Sequence, residues 1–283
     1  MRSLSVLITW HDRPEIDAVL SRNDAEFRRH RAEIIVVNCG GNSERLRHQI
    51  LESKCGSVRH FNVPKRLFNK ALALNLGVSF SHGDLLFVLD ADTILNPGFF
   101  DAAVPLLGDG SFVTVGTVNE TANESDIGTA ASCNRNELGS FVSTFRRTHQ
   151  IEVLFADGST ICQQTFSQDL ITGTKKSQSQ ILLNKSHFCD INGFNSEHEG
   201  WGWEDIDLQL RLRHSLGLRH LEVGGAIHLS HGDNQRALFG KNRNESSMRN
   251  LIASLRRYSR GDFAGTYRED VRQWRELVTE VTE

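Results

Sequence analysis

The sequence contains 283 residues, of which 39% are hydrophobic and 24% are charged, and its formal net charge is −3. This composition supplies enough apolar side chains for a large globular core, so a disordered or fibrous chain is excluded. Because there is no excess of positive charge, nucleic acid is not expected as a partner. No stretch approaches the roughly 18 apolar residues of a membrane span, and the first residues lack the pattern of a signal peptide. We therefore predict a cytoplasmic protein.

Short apolar runs alternate with amphipathic segments through residues 4–90. The apolar runs predict buried strands, and the segments between them predict helices. The predicted strands cover residues 5–9, 33–38, 58–63 and 85–89, and the predicted helices cover residues 14–30, 43–53 and 68–81. This alternation indicates an α/β fold with an open, mostly parallel sheet flanked by helices.

The rest of the chain has a different pattern. Residues 119–180 are rich in polar side chains and predict irregular or antiparallel structure over the sheet. A strand at 181–184 and a helix at 204–216 should follow, and the basic tail predicts helices near 245–258 and 267–281. We expect one domain at 1–232 and a helical C-terminal extension at 233–283.

The first tail helix carries an apolar stripe flanked by arginines. Such a stripe fits packing on the parent domain or on a second copy of the chain, so both a monomer and a homodimer are compatible with it. The alternative is weak peripheral binding to the inner face of a membrane.

Three predicted strands end in polar residues, at 9–13, 38–41 and 90–92. Ligands of open α/β sheets bind at the carboxyl ends of the strands, so these segments should converge on one site. Asp90-Ala91-Asp92 offers two carboxylates, which are the hard oxygen ligands that hold Mg²⁺ or Mn²⁺ against a diphosphate. The alternative is that the two aspartates only cap the next element.

His228 and His231 form a second group of candidate ligands. Imidazole is a common ligand of Mn²⁺ and its neighbours, and one histidine would complete a metal site begun by Asp92. In a chain with 12 histidines, the pair could also be ordinary surface or core histidines.

Two tryptophans separated by glycines, Trp201 and Trp203, precede the acidic residues Glu204 and Asp205. Indoles offer flat apolar faces to sugar rings, and a carboxylate beside them can accept a proton from a hydroxyl. The alternative is that the tryptophans belong to the core and the acids cap a helix. The glycines between the indoles favour the functional interpretation.

Taken in order, these motifs resemble those of the metal-dependent GT-A glycosyltransferases, especially the beta-1,4-galactosyltransferase type and its bacterial family 2 relatives. The resemblance covers residues 4 to about 232. The matching segments are 68–71 (F-N-R-A in the family), 75–77 (N-V-G), 90–92 (D-V-D), 191–194 (I-N-G-F) and 201–205 (W-G-G-E-D).

The resemblance implies a role for each matching residue. Asp205 falls on the catalytic base, and Glu204 falls on an acid that orients the acceptor. Asp92 and His231 would bind Mn²⁺ or Mg²⁺, with His228 in the place of a methionine ligand. The residues that would contact the UDP-sugar are Thr9, His11, Arg13, Asn38, Phe68, Lys70, Asn75, Asp90, Ala91, Trp201 and Trp203.

The activity implied by the resemblance is inverting transfer of a sugar from a UDP-sugar, such as UDP-Gal or UDP-GalNAc, to a glycan or glycoside hydroxyl in polysaccharide biosynthesis. Residues 1–118 would form the nucleotide-binding half, and residues 119–232 the acceptor and metal half. Gln178-Ser179 replaces a glycine pair of the family, and Trp203 replaces a second glycine, so the donor sugar does not follow. Two other functions stay open, a nucleotidyltransferase acting on nucleotide sugars and a catalytically silent carbohydrate-binding protein of the same fold.

Overall fold

The computed structural model describes residues 2–65, 67–121, 146–169, 172–232, 236, 238–240 and 242–281. Eleven strands lie in this part of the chain. They are β1 (Leu4–Trp10), β2 (Glu33–Cys39), β3 (Val58–Val63), β4 (Leu85–Asp90), β5 (Thr93–Leu95), β6 (Ser111–Thr121), β7 (Arg146–Leu154), β8 (Thr160–Asp169), β9 (Ile181–Asn184), β10 (Arg219–Leu229) and β11 (Thr279–Val281).

Eight α-helices are described along with the strands. They are α1 (Ile16–Arg29), α2 (Ser43–Ser53), α3 (Lys70–Phe80), α4 (Phe99–Leu106), α5 (Lys185–Asp190), α6 (Glu204–Leu216), α7 (Arg243–Tyr258) and α8 (Tyr267–Trp274). None of the described helices is both long and apolar enough to cross a membrane.

Nine strands form one sheet in the order β11-β3-β2-β1-β4-β9-β6-β10-β5. Strands β3, β2, β1 and β4 are parallel neighbours, and β6 and β10 are parallel to each other. Because β9 is antiparallel to both β4 and β6, these two groups run in the same direction. Six of the nine strands are therefore parallel, and the predicted α/β architecture is confirmed.

The sheet separates two apolar cores. Successive side chains of a strand point to opposite faces. In β1, Val6 and Ile8 pack with residues of α1 and α4, whereas Leu7 packs with residues of α3 and α6. The continuous apolar runs that predict buried strands thus reflect burial on both faces of the sheet.

Strands β7 and β8 form a separate antiparallel hairpin, which confirms antiparallel structure in part of the polar segment. Residues 122–145 of that segment lie outside the described residues.

The end of the tail differs from the predicted helix over residues 267–281. Helix α8 ends at Trp274, and β11 pairs antiparallel with β3, next to Phe61. Thr279 and Val281 are β-branched, and this favours an extended strand over a helix. The tail therefore extends the sheet at its β3 edge. The division of the chain at residue 232 stays a prediction.

Helix α7 begins with a capping box between Asn242 and Glu245, close to its predicted start. The predicted apolar stripe is only partly covered. Leu251 packs against a third cluster that contains Tyr258, whereas Ile252 and Leu255 are about 40% exposed.

Candidate active site

Strand pairing brings the first acidic motif next to the histidine pair. Asp92 lies in the turn between β4 and β5, and β5 pairs antiparallel with the end of β10, where Thr93 is opposite His228. The backbone N–H of Leu229 donates to the carbonyl of Asp92 at 2.8 Å. Residues that are 136 positions apart in the chain thus meet at one edge of the sheet.

Asp92, His228 and His231 each offer one ligand atom, and the three atoms lie within 4.8 Å of one another. Nε2 of His228 lies 3.5 Å from Oδ1 of Asp92, and Nε2 of His231 lies 3.4 Å from Oδ2 of Asp92. One carboxylate and two imidazoles form a donor set suited to Mn²⁺ and related divalent cations. The residues present therefore fit a bound metal ion.

The orientation of both imidazoles also fits a metal site. Nδ1 of His228 lies 2.8 Å from a carboxylate oxygen of Glu120, and Nδ1 of His231 lies 3.0 Å from the carbonyl of Gly232. In the neutral form that binds a metal, each acceptor favours the proton on Nδ1. Nε2, which faces Asp92, is then the ring nitrogen that can bind a cation. Partners of this kind commonly orient histidine ligands.

Positive charge already surrounds the Asp92 carboxylate. Burial alone would raise the pKa of Asp92, but hydrogen bonds from His228 and His231 and the charge of Arg13 hold it well below its ordinary value. Burial lowers the pKa of His228, and its contacts with Asp92 and Glu120 outweigh burial and raise the pKa to about 10. A divalent cation would replace this positive charge, because histidine must be neutral to bind it.

The guanidinium of Arg13 contacts both Asp92 and Nε2 of His231. Arg13 lies in the loop after β1, so the strand-end rule places it beside the site. Its guanidinium occupies the position where a cation would meet Asp92 and His231. Binding of a metal ion therefore requires Arg13 to move aside.

A second cluster lies where α3 and α6 begin. Nζ of Lys70 donates to Oδ2 of Asp205 at 2.8 Å and lies 2.9 Å from Oδ1 of Asp90 and 4.0 Å from Oε1 of Glu204. Lys70 is the first residue of α3 and follows its cap, Asn69. One ammonium thus connects the strand-end aspartate with both acidic residues at the start of α6.

Charge and burial set the proton affinities of this cluster. Burial, together with the charges of Glu204 and Asp90, raises the pKa of Asp205 well above its ordinary value, although Lys70 opposes the rise. Burial lowers the pKa of Lys70, but the three carboxylates outweigh it and raise the pKa well above its ordinary value. Lys70 is therefore charged, and Asp205 is a stronger base than an exposed aspartate.

Two oxygen atoms of this cluster lack partners in the described part of the chain. Oδ1 of Asp205 and Oε2 of Glu204 are buried and accept no hydrogen bond. Unpaired buried acceptors are costly, and a ligand hydroxyl at this position would supply a donor.

The loop after β1 contacts the segment before α3. The rings of His11 and Phe68 stack with centroids 5.4 Å apart, and Nδ1 of His11 lies 3.1 Å from the carbonyl of Cys39. Asn38 is buried beside them, and its side chain holds the loop through the N–H and carbonyl of Gly41. Thr9 and Ala91 are also buried at these strand ends.

Two residues predicted to bind the nucleotide sugar have structural contacts instead. Asn75 is fully buried, donates to Asp270 and to the carbonyl of Phe194, and accepts from the N–H of Phe194. Trp203 is 6% exposed, and its Nε1 donates to Ser254. The prediction of a ligand contact is therefore wrong for Asn75, and that of an exposed sugar-binding face is wrong for Trp203, because both side chains pack inside the protein.

Trp201 behaves differently from Trp203. Its indole is only partly buried, and the guanidinium groups of Arg236 and Arg243 lie 5.1 and 5.9 Å from the ring centroid. An indole face in this position could contact a sugar ring, but two arginine side chains already lie over it.

Two residues of the site were not predicted from the sequence. Gln180 donates to Asp90 at 2.9 Å and to Thr93 at 3.2 Å, and Glu120 contacts His228. Both are polar residues at the ends of strands, Gln180 before β9 and Glu120 near the end of β6. A position at a strand end is the signal that could have identified both, but the predicted site includes only the three strand ends at 9–13, 38–41 and 90–92.

Residues 6–257 match the model of the family described as "Glycosyltransferase like family 2". The chain belongs to this family. The family resemblance predicted from the motifs is thereby confirmed. No curated protein matches the sequence.

Solved structures add evidence on the fold of this glycosyltransferase-like family 2 member. GalNAc-T7, solved with UDP, GalNAc and Mn²⁺, is similar with a TM-score of 0.58 at 14% identity over 90% of this chain and 48% of that chain. The present chain thus spans about half the length of the GalNAc-T7 chain. A mannosyltransferase from Pyrobaculum calidifontis, solved with GDP-Man and Mn²⁺, has a TM-score of 0.49 at 15% identity over 81% and 57% of the two chains. The likeness to GalNAc-T7 confirms the GT-A fold.

Proposed function

We propose that this family member transfers a sugar from a UDP-sugar, such as UDP-Gal or UDP-GalNAc, to a hydroxyl of a glycan or glycoside, with inversion at the anomeric carbon. Mn²⁺ or Mg²⁺ would bind at Asp92, His228 and His231, and Asp205 would act as the base. Most donor contacts would come from residues 1–118, and the acceptor contacts from residues 119–232.

A single relationship supports this proposal most strongly. The candidate metal ligands (Asp92, His228 and His231) and the Lys70 cluster (Lys70, Asp90, Glu204 and Asp205) each include an aspartate of the Asp90-Ala91-Asp92 segment. A candidate cation site and a candidate base are therefore both joined to one strand end. Transfer needs a group that stabilises a leaving diphosphate and a group that activates a hydroxyl. The two clusters supply a candidate for each of these groups.

The diphosphate would leave near Asp92. A bound Mn²⁺ or Mg²⁺ would supply charge that stabilises the leaving UDP. Arg13 has a long side chain whose guanidinium already lies at this position. After leaving Asp92, this group could hydrogen-bond the phosphate oxygens. Lys70 could contribute a second positive charge from the start of α3.

Asp205 would act on the acceptor. In the reaction, the acceptor oxygen forms a bond to the anomeric carbon while the bond to the diphosphate oxygen breaks. The acceptor proton passes to Asp205, whose raised pKa suits it to this task. Glu204, with its unpaired oxygen, would accept a hydrogen bond from a second hydroxyl and orient the sugar.

The test is a panel of UDP-sugars with Mn²⁺, Mg²⁺ or chelator, in which UDP release is measured with and without candidate acceptors. We expect metal-dependent UDP release that acceptor accelerates, and a product of inverted configuration by proton NMR. Release of pyrophosphate from UTP and a sugar 1-phosphate would instead identify a nucleotidyltransferase. UDP binding that needs no metal, with no release in any mixture, would indicate a silent carbohydrate-binding protein.

A further inference from the structure

A cavity of about 470 Å³ lies outside the site described above, between the β7–β8 hairpin, the end of α6 and the start of β10. None of the candidate metal ligands or acidic residues at the start of α6 lines it. Its volume falls in the range of small-molecule sites, but its walls are mainly polar, unlike a pocket for an apolar ligand.

The walls of the cavity carry more positive than negative charge. Lys176, Arg213 and Arg219 line it together with a single acid, Glu222, so two positive charges are unbalanced. Lys176 pairs with Glu222, and Arg213 donates to a carbonyl and an amide oxygen of β8. Arg219 is exposed and forms no ion pair with the described residues. The cavity therefore favours an anionic group.

The remaining walls favour hydroxyl groups. Gln164 and Gln178 line the cavity, and Oε1 of Gln178 has no hydrogen-bond partner among the described residues. Gln163 is buried beside them and already bonds Arg213 and Gln209. Burial lowers the pKa of His220 to about 4, so this ring is neutral and offers polar contacts rather than charge. A carboxylate alone could use the arginines but would bring no donor for the amide oxygen of Gln178, whereas a sugar acid supplies both a carboxylate and hydroxyl donors.

The cavity also has a direct structural relation to the candidate base. Asp205, Gln209 and Arg213 are spaced four residues apart on α6 and share one face of the helix. Eight residues at the helical rise separate Asp205 from Arg213 by about 12 Å. Between them, Gln209 is fully buried and bonds Gln163 and the carbonyl of Gln178.

We propose that this cavity binds an acidic sugar residue of an oligosaccharide acceptor, whose carboxylate meets Arg213 and Arg219 while its hydroxyls meet Gln164 and Gln178. This inference rests on the proposed function, since it takes the bound sugar to belong to an acceptor whose reacting end lies at Asp205, about 12 Å away. The acceptor would pass around the buried Gln209, not over it. The cavity would then select acidic acceptors over neutral ones at a distance from the reacting sugar.

Cys162 provides a direct test, because it lines the cavity and is the exposed one among the four described cysteines. The rate of its alkylation, followed by peptide mass spectrometry, is measured without donor or metal. The probes are a glucuronic-acid-containing tetrasaccharide, its carboxyl-reduced form and inorganic phosphate. We expect the acidic tetrasaccharide to slow alkylation, and the reduced form and phosphate to have little effect.

Two variants complete the experiment. Arg219→Gln should weaken protection by the acidic tetrasaccharide about tenfold, as the loss of one charge-assisted hydrogen bond predicts. Arg260→Gln removes the same charge from an exposed position outside the cavity and should leave protection unchanged. Because Arg219 is exposed, its replacement should preserve the fold, and unchanged thermal unfolding checks this.

The outcomes separate this inference from the proposed function. Equal protection by the acidic and carboxyl-reduced tetrasaccharides, protection by phosphate alone, or no protection at all would overturn the cavity proposal, even if metal-dependent UDP release is found. Protection that requires Arg219 would support it, even if no UDP-sugar is turned over.

Discussion

The ammonium of Lys70 lies 2.8 Å from the carboxylate of Asp205. The two residues are the first residue of α3 and the second residue of α6, which come from distant parts of the chain. Since the same ammonium lies 2.9 Å from Asp90, the contact joins the candidate base to the strand end that carries the metal ligand Asp92. The pKa of Asp205 therefore depends on the charge of Lys70, which Asp90 shares.

Replacement of the candidate base tests its role directly. Asp205→Asn keeps the shape of the side chain but removes its ability to accept a proton. We expect kcat to fall by a factor of about 10² to 10⁴, the usual contribution of a general base. The dissociation constant of the UDP-sugar should change little, because Asp205 would act on the acceptor.

The control for this variant is Asp109→Asn, at an exposed position outside the site. It should retain the kcat of the parent protein. If Asp205→Asn also retained parental kcat, or lost donor binding to the same extent as activity, Asp205 would not be the base.

Lys70 should set the pH dependence of the same residue. A general base must be ionised, so kcat is lost as the pH falls through its pKa. Because the charge of Lys70 lowers the pKa of Asp205, Lys70→Gln should raise that pKa and move the acidic limb of the profile to higher pH. The measurement is kcat against pH at saturating donor, acceptor and Mn²⁺. An unchanged or acid-shifted limb would contradict the coupling, and exposed Lys54→Gln is the matched control.

Glu120 should determine how firmly His228 holds a metal ion. Its carboxylate lies 2.8 Å from Nδ1 of His228 and also meets Lys175 at 2.8 Å. Glu120→Gln should weaken Mn²⁺ binding by about 10- to 100-fold, the usual effect of losing such a partner. Titration followed by electron paramagnetic resonance measures this, with exposed Glu152→Gln as the control. Equal Mn²⁺ affinity in both variants would place Glu120 outside the metal site.

The sequence predicted the location of the site better than the roles of its individual residues. Asp90 and Asp92 follow a buried strand, and the rule that ligands bind at carboxyl ends of strands was enough to place them. Motif spacing could not show that Asn75 and Trp203 face inward, because that depends on Asp270 and Ser254 in the tail. A single sequence does not reveal which distant elements will pack together.

The same reasoning explains why the tail was only partly predicted. Helix α7 has local signals, with a capping box at its start and an apolar stripe. Strand β11 has three residues, and its formation depends on pairing with β3, more than 200 positions earlier. Short strands at a sheet edge take their structure from the neighbouring strand more than from their own sequence.

Arg13 should compete with the metal ion for Asp92. Its guanidinium contacts Asp92 and His231, so a cation must displace it. Arg13→Gln should therefore tighten Mn²⁺ binding in the absence of nucleotide, whereas kcat should fall because the leaving diphosphate loses a positive charge. Calorimetric Mn²⁺ titration and steady-state kinetics measure the two effects. Weaker Mn²⁺ binding in the variant would show that Arg13 supports the metal site instead of competing with it.

Asp207 lies two residues from Asp205 but has a structural role. Its buried carboxylate accepts hydrogen bonds from Arg211 at 2.8 Å and from Ser254 and Tyr258 at 2.7 Å, and it thereby fixes α7 on α6. Asp207→Ala leaves Arg211 buried without its partner, so we expect the free energy of unfolding to fall by about 3–5 kcal/mol. Denaturant unfolding at neutral pH measures this, and Asp109→Ala should change it little.

The same carboxylate should make stability depend on pH in the acid range. Burial raises the pKa of Asp207, but Arg211 and the hydrogen bonds outweigh it and lower the pKa to about 2, from an ordinary value of 3.8. Its contribution, roughly 2 kcal/mol, is complete above the unfolded-state pKa and is lost as the pH falls from about 4 toward 2. Unfolding free energies of the parent and of Asp207→Asn should therefore converge over this interval. A difference that stayed constant down to pH 2 would mean that Asp207 does not stabilise the fold through its charge.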